Sequence, residues 1–312
     1  MRDYGRIGVL MGGPSSEREI SLKSGKGVCE ALRGLGLDVT AVDVTTADLK
    51  ENAELIRSRA INCAFIALHG CFGEDGQVQG LLEGLRIPYT GSSPAASRRA
   101  LDKAQAREVF LRAGLKVPEC VVVEKDGAAP DRERIAKLGM PLVIKPATQG
   151  SSIGLSIIDS PDAFDRALQD AFAYDRKVLV ERYVKGRELT VGILQEKPLP
   201  VIEIVPKSRF FDFEAKYHSA VTEYIVPARI SPEAAVRAQE TALAAHRALG
   251  CSGCSRTDIM LDEAGGMFVL EVNTIPGLTA TSLLPKAAKN VGIGFPELCV
   301  RLLESAYEKK QA

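Results

Sequence analysis

Two short alternating runs hold oxygen-bearing side chains at a spacing that could grip a cation. They are Arg256-Thr257-Asp258-Ile259-Met260-Leu261-Asp262 and Met267-Phe268-Val269-Leu270-Glu271-Val272-Asn273. Side chains two apart in a strand share a face, so Arg256 goes with Asp258 and Glu271 with Asn273. Gly265-Gly266 between the runs predicts a hairpin. The expected inward neighbours are Ile259, Leu261, Phe268, Leu270 and Val272. Carboxylates set against that apolar layer need a counter-charge, because an unpaired buried ion costs several kcal/mol. Asp258, Glu271 and Asn273 are hard ligands of the kind that suit Mg²⁺ carrying waters and a phosphate. The plainer alternative is a pair of solvated carboxylates at a sheet edge. The next residues, Asn273-Thr274-Ile275-Pro276-Gly277, weigh toward a ligand. A proline-fixed turn and a glycine that lets backbone N–H approach closely make an anion site.

A second candidate is Val143-Ile144-Lys145-Pro146-Ala147-Thr148-Gln149-Gly150-Ser151-Ser152-Ile153-Gly154. Gly150-x-Ser152-x-Gly154 formally fits a hydrolase elbow, but that elbow needs a strand, a sharp turn and then a helix. Here strand-forming residues flank both sides, which favours a flap whose backbone cradles phosphates. Lys145, leaving a strand into that loop, can reach a phosphate as a point charge, and so can Lys103. Glu17 lies in the first turn of an expected helix, where capping alone could explain it. His69 closes a buried strand and could simply be a satisfied core histidine. Glu181 and Glu188 bracket a strand connection and suit an amino group and a ribose, or else solvent. The stretch 206–222, with Lys216 and Tyr217, has no period and reads as a functional loop.

The positioning elements come next. The first hundred residues alternate strand and helix: strands at Ile7–Met11, Asp38–Val44, Ala64–Leu68 and Ile87–Thr90, helices near Ile20–Leu35, Lys50–Ser58 and Gly76–Leu85. That is a parallel α/β lobe, with Gly12-Gly13 and His69-Gly70 at one rim beyond the strand ends. After Gly91-Ser92-Ser93-Pro94 a helix is expected over Ser97–Ala113. A small α+β lobe follows, with strands at Glu119–Val123, Leu142–Pro146, Ile153–Ile158 and Val178–Val184. The last lobe has strands at Val191–Leu194 and Val201–Val205, a helix over Ser231–Leu249, the hairpin, and two closing helices. The expected boundaries are 1–96, 97–184 and 185–312.

At 312 residues, two or three lobes are expected. Lys and Arg together number 40, equal to Asp and Glu, so no global field points to nucleic acid or an anionic membrane. No apolar run is long enough to span a bilayer, and the N-terminus lacks a signal-peptide pattern. No G-x-G-x-x-G or P-loop is present, and the three histidines include no H-E-x-x-H. Seven cysteines fit reduced thiols, and Cys251-Ser252-Gly253-Cys254 reads as a helix exit.

Six ordered motifs between residue 7 and about residue 305 resemble the D-alanine–D-alanine ligases of the ATP-grasp superfamily. They are Gly12-Gly13-x-Ser15-x-Glu17-x-x-Ile20-Ser21-Leu22, Leu68-His69-Gly70-x-x-Gly73-Glu74-Asp75-Gly76, the Lys145–Gly154 flap, Glu181 with Glu188, the 206–222 loop as a lid, and Arg256 through Pro285. The resemblance implies an α/β, three-lobe enzyme joining two D-alanines through an acyl phosphate, with ATP as substrate and two Mg²⁺ (or Mn²⁺). It implies that Asp258, Glu271 and Asn273 hold metal, and that Lys103, Lys145, Ser152, Glu181, Glu188 and Lys216 contact ATP. Glu17 would hold the first ammonium and His69 the substrate rim. Ser151 and Tyr217 would orient substrate, Arg256 and Gly277 stabilise an oxyanion, and Ser282 hold the second carboxylate. A cytoplasmic homodimer serving peptidoglycan precursor synthesis is the family expectation. Gln149 and Thr281 depart from frequent family residues. A D-alanine–D-lactate ligase or another ATP-grasp carboxylate–amine ligase is the near alternative, and a nucleotide-binding regulator the distant one.

Overall fold

The computed structural model describes residues 2–206 and 222–308. Ile7–Gly12 (β1), Val39–Val44 (β2) and Cys63–Ile66 (β3) form a parallel sheet in the order β2-β1-β3. Every residue of β1 and β3 is buried, as expected of parallel strands covered on both faces. Arg18–Gly34 (α1), Leu49–Ser58 (α2) and Gln77–Gly84 (α3) are the connecting helices. The fourth strand expected at Ile87–Thr90 reduces to one bridge, Ala64 with Tyr89. There the Thr90 hydroxyl accepts the Ile66 N–H at 2.9 Å, so a side chain ends the ladder.

The single helix expected over Ser97–Ala113 is two, Pro94–Leu101 (α4) and Lys103–Arg112 (α5). Asp102 sits between them with extended backbone (φ −77°, ψ 98°), and its side chain accepts from the Ala104 and Gln105 N–H groups. An aspartate that caps a new helix so well breaks the old one. Cys120–Glu124 (β4), Leu142–Pro146 (β5), Ser156–Ile158 (β6) and Lys177–Arg182 (β7) then form an antiparallel sheet, β4-β7-β5-β6. Arg132–Leu138 (α6) and Phe164–Phe172 (α7) cover one face, packed on Leu142, Ile144, Val178 and Val180. β6 is shorter than the expected Ile153–Ile158. Ser151, Ser152 and Gly154 all take positive φ (55°, 59° and 69°), which a strand cannot continue through.

The third sheet runs β11-β10-β8-β12-β13, from Gly186–Leu194 (β8), Ile202–Pro206 (β10), Thr222–Ile225 (β11), Cys254–Asp262 (β12) and Met267–Asn273 (β13). Lys197–Pro198 (β9) pairs with β8. The hairpin is present, with Gly265 at φ 84° in its turn. Its inward set differs from the expected one. Asp258 pairs with Glu271 but Ile259 pairs with Val269, so Leu270 is the extra residue of a bulge. The bulge reverses the alternation: Met267, Val269 and Val272 are buried, while Phe268 and Leu270 are only partly so. Pro232–Leu249 (α8) backs this sheet through Ala234, Ala238 and Ala242. Leu283–Asn290 (α9) and Phe295–Glu308 (α10) join α1 and the first sheet in a core that also includes Leu194 and Ile202. Residues 207–221, with Lys216 and Tyr217, lie outside the described residues.

The core of α8 holds His246, fully buried, with Nδ1 2.7 Å from the Ser255 hydroxyl and Nε2 3.1 Å from Glu196. Burial lowers its pKa despite Glu196, and burial lowers that of His69 too. The unfolded chain therefore takes up protons near pH 6.5 that the native chain refuses. The two histidines' contribution to stability is full above that pH and falls as pH drops below it, by up to about 1.4 kcal/mol per pH unit per histidine. On going from about pH 7.5 to pH 5.5 the urea midpoint should lose less in His246→Gln than in the wild type. An unchanged slope in that variant would refute the assignment.

Candidate active site

A cavity of about 390 Å³ opens between the uncovered face of the middle sheet and the third sheet. The middle sheet supplies a row across three strands, Glu181, Val143 and Ile157, with Lys145 on the same face of β5. The third sheet supplies Ile204, Glu188 and Met260 as one row, with Asp258 and Glu271 one step along. The bulge turns Leu270 into the same cavity, where it sits with Met260 as apolar lining. Lys145 and Glu181 are both buried and pair at 2.8 Å. Burial alone would lower the Lys145 pKa, but Glu181 and, further off, Glu271 raise it. This lysine stays charged. Lys103 reaches Glu271 at 3.2 Å and donates to the Gln149 carbonyl at 2.7 Å.

Asp258 is almost wholly buried and takes three charged or polar donors. Arg256 approaches it bidentately, Nε at 2.9 Å and Nη2 at 2.8 Å, and the Thr190 hydroxyl donates at 2.6 Å. Burial works against the Arg256 charge, yet Asp258, then Glu271 and Glu74, raise its pKa further. The Asn273 amide lies 3.4 Å from Asp258 and 3.5 Å from Glu271. The three residues expected to bind metal thus converge on one point. Their two carboxylates are neutralised there by Arg256 and Lys103. Two carboxylates and a reversible amide are a hard-oxygen donor set that fits a divalent cation, with the amide oxygen exposed by a simple flip.

The second end of the site joins the first sheet. The Ser151 hydroxyl donates to Glu17, and Gly70 and Gly150 flank that carboxylate closely. A Cβ on either would come within 3.1 or 3.4 Å of Glu17 Oε2. Ser15 donates to the His69 carbonyl at 2.7 Å, so the two glycine loops do share a rim. His69 Nε2 lies 3.3 Å from the Ser24 hydroxyl, which accepts the Leu278 N–H at 3.3 Å. This ties the rim to the loop after Asn273. In that loop Ser282 accepts the Thr279 N–H at 3.0 Å and contacts the Thr279 hydroxyl at 2.7 Å. A side chain at Gly277 would strike the Ser282 hydroxyl, 2.8 Å from its Cβ position.

One residue of this site escaped the sequence reading. Glu74 accepts the Gly70 N–H at 2.7 Å, and it lines a small recess with Lys103, Gly150, Glu271 and Asn273. Burial, then Glu17, push its pKa up to about 8, so it is largely a neutral acid at pH 7. The signal was an acid inside a glycine-rich loop five residues after His69, where hydrogen bonding within the loop explained it equally well.

Residues 43–92 match the family model described as D-ala D-ala ligase N-terminus, and residues 109–304 match D-ala D-ala ligase C-terminus. The chain is 48% identical over 304 residues to a D-alanine–D-alanine ligase of Geotalea uraniireducens, covering 96% of this chain and 95% of that protein. It is also 48% identical over 303 residues to one of Geobacter sulfurreducens, covering 96% and 94%. Among solved structures it resembles D-alanine–D-alanine ligase from Bacillus anthracis complexed with ATP, at 34% identity and TM-score 0.85, with 97% of each chain covered. The VanG D-Ala:D-Ser ligase of Enterococcus faecalis is similar at 30% identity and TM-score 0.81, covering 96% of this chain and 99% of that one.

Proposed function

The chain belongs to the D-alanine–D-alanine ligase family, and on that premise we propose how its residues join two D-alanines at the expense of ATP. The product is D-alanyl-D-alanine, for cell-wall precursor synthesis. The observation that carries the mechanism is that Lys103, Lys145, Asp258 and Glu271 line one cavity together with Ser152, whose neighbour Ser151 bonds Glu17.

Glu181 and Glu188 bind adenine and ribose, with Met260 and Leu270 against the base. Lys103, Lys145 and the backbone around Ser152, in a loop with positive φ at Ser151, Ser152 and Gly154, bind the phosphates. Asp258, Glu271 and Asn273 would hold two Mg²⁺ (or Mn²⁺), which when bound supply charge neutralisation to the transferring phosphoryl group. Glu17 holds the first D-alanine's ammonium, oriented by Ser151 and by Tyr217 of the lid, with neutral His69 at the rim. One carboxylate oxygen of that D-alanine attacks the γ-phosphorus, the bond to the β-phosphate oxygen breaks, and ADP leaves. The second D-alanine's ammonium gives one proton to solvent, its free amine attacks the acyl phosphate carbon, and the adduct expels phosphate as the nitrogen sheds a second proton. Arg256 and the Gly277 N–H stabilise the tetrahedral oxyanion, and Ser282 holds the second carboxylate. Lys216 closes on the γ-phosphate and the lid excludes water. Three lobes at 1–96, 97–184 and 185–312, working as a cytoplasmic homodimer, complete the proposal. Among the described residues no helix is long and apolar enough to cross a membrane.

Phosphate release should be measured with ATP and Mg²⁺ plus D-alanine, L-alanine, D-alanine with D-lactate, D-alanine with D-serine, or no amino acid. The expected result is phosphate with D-alanine alone and a dipeptide in equal amount. Tight ATP binding with no turnover on any acceptor would overturn the mechanism in favour of a nucleotide-binding regulator. A depsipeptide as main product would move the second substrate to D-lactate.

A further inference from the structure

Lys103 and the loop 148–154 come from different elements, α5 and the β5–β6 connection, yet both must meet the same phosphates. A lysine side chain has several rotatable bonds, so it is aimed only if its backbone is fixed. The structure fixes it with a closed ring. The Lys103 N–H donates to the Ala147 carbonyl at 2.9 Å, and the Ala147 N–H donates to the Lys177 carbonyl at 2.9 Å. The Lys177 ammonium then returns to Asp102 at 2.9 Å, the residue before Lys103. Asp175 ties in the loop's first residue. One oxygen accepts both the Thr148 N–H (2.8 Å) and the Thr148 hydroxyl (2.7 Å), and the other accepts the Lys177 N–H at 3.1 Å.

The bond to Lys177 exceeds what capping needs. Asp102 Oδ1 alone serves the Ala104 and Gln105 N–H groups, at 3.0 and 3.1 Å, leaving Oδ2 for Gln105 and Lys177. Asp102 is 8% exposed, so its charge is well shielded from water, and the pair is not an ordinary surface bridge. We propose that Asp102 and Lys177 are a positioning pair that locks the break between α4 and α5 to the start of β7, so that Lys103 and the loop 148–154 present one rigid phosphate cradle. Neither lines the ATP cavity. The inference rests on the phosphate role given above to Lys103 and that loop.

The test compares the wild-type enzyme with Lys177→Met, Lys177→Arg and, as a control, Lys103→Ala. ATP and D-alanine KM, kcat, ADP affinity by calorimetry and the thermal midpoint are read for each. Lys177→Met should raise the ATP KM and weaken ADP about tenfold, with a smaller rise in the D-alanine KM, because the loosened loop also carries Ser151. Lys177→Arg should restore most of the loss. Should Lys177→Met not fold, Lys177→Gln is read in its place. The proposal is overturned if nucleotide affinity is unchanged while Lys103→Ala weakens it. It is equally overturned if both KM values rise by the same factor while the thermal midpoint falls, the mark of a merely structural bond. If Lys103→Ala also leaves affinity intact, the phosphate reading itself fails and the positioning pair with it.

Discussion

Asp258→Asn is expected to lower ligation by about a thousandfold, the scale of removing one electrostatic anchor from a transferring or developing charge. The structure adds a second cost to the lost metal affinity. Asp258 faces Arg256 through two hydrogen bonds and Thr190 through a third. Asparagine fills the same space but turns an NH₂ toward one guanidinium N–H, donor against donor. Arg256, itself buried beside its partner, is left half paired, at about 1–3 kcal/mol. Activity lost in this variant therefore mixes chemistry with stability. Glu271→Gln separates the two. Its side chain is about 20% exposed, and its partner Lys103, about 9% exposed, keeps the Gln149 carbonyl, so the stability loss should be the smaller of the two. A magnesium titration at fixed ATP should show the half-saturating concentration rising in both variants, while the thermal midpoint drops mainly in Asp258→Asn. Turnover within tenfold of wild type in both, with unchanged magnesium dependence, would remove the metal assignment.

The local pattern in these strands was readable because alternation, glycine turns and acid spacing are short-range signals. The Arg256–Asn273 hairpin, the rim pairing of Gly12-Gly13 with His69-Gly70, and the loop joining two strands after Lys145 all needed only that. What failed depended on tertiary competition. The bulge at Leu270 leaves no mark in an apolar run, since Phe268, Val269 and Leu270 are equally suited to either face. The register is decided by Met267 packing with Ala238 and Ile259, by Val269 packing with Ala100 and Phe110, and by Asp258 and Glu271 staying side by side. Asp102 looked like a polar residue within one helix, because its Lys177 partner is 75 residues away. Glu74 was visible as a residue, but its raised pKa arises from Glu17 and burial in the folded chain.

Lys145→Met should cost both stability and ATP binding, and a companion variant decides which loss belongs to catalysis. Lys145 and Glu181 are each about a tenth exposed or less, and they neutralise one another at 2.8 Å. Removing one member of such a pair typically costs about 3–5 kcal/mol, because the other charge stays buried alone. Replacing both by apolar groups of similar volume is close to neutral. Lys145→Met with Glu181→Leu should therefore regain most of the denaturation midpoint lost by Lys145→Met. If Lys145 serves the phosphates and Glu181 the adenine, that restored protein still binds ATP at least about tenfold more weakly, and its turnover stays low. Recovery of ATP affinity together with stability would mean that Lys145 only balances Glu181. The phosphate charge would then rest on Lys103 and the loop backbone. A double variant that is stable but cannot bind ATP assigns the pair two tasks. Each residue is the other's counter-ion at 2.8 Å, and that result would give the same two charges a second task at the nucleotide.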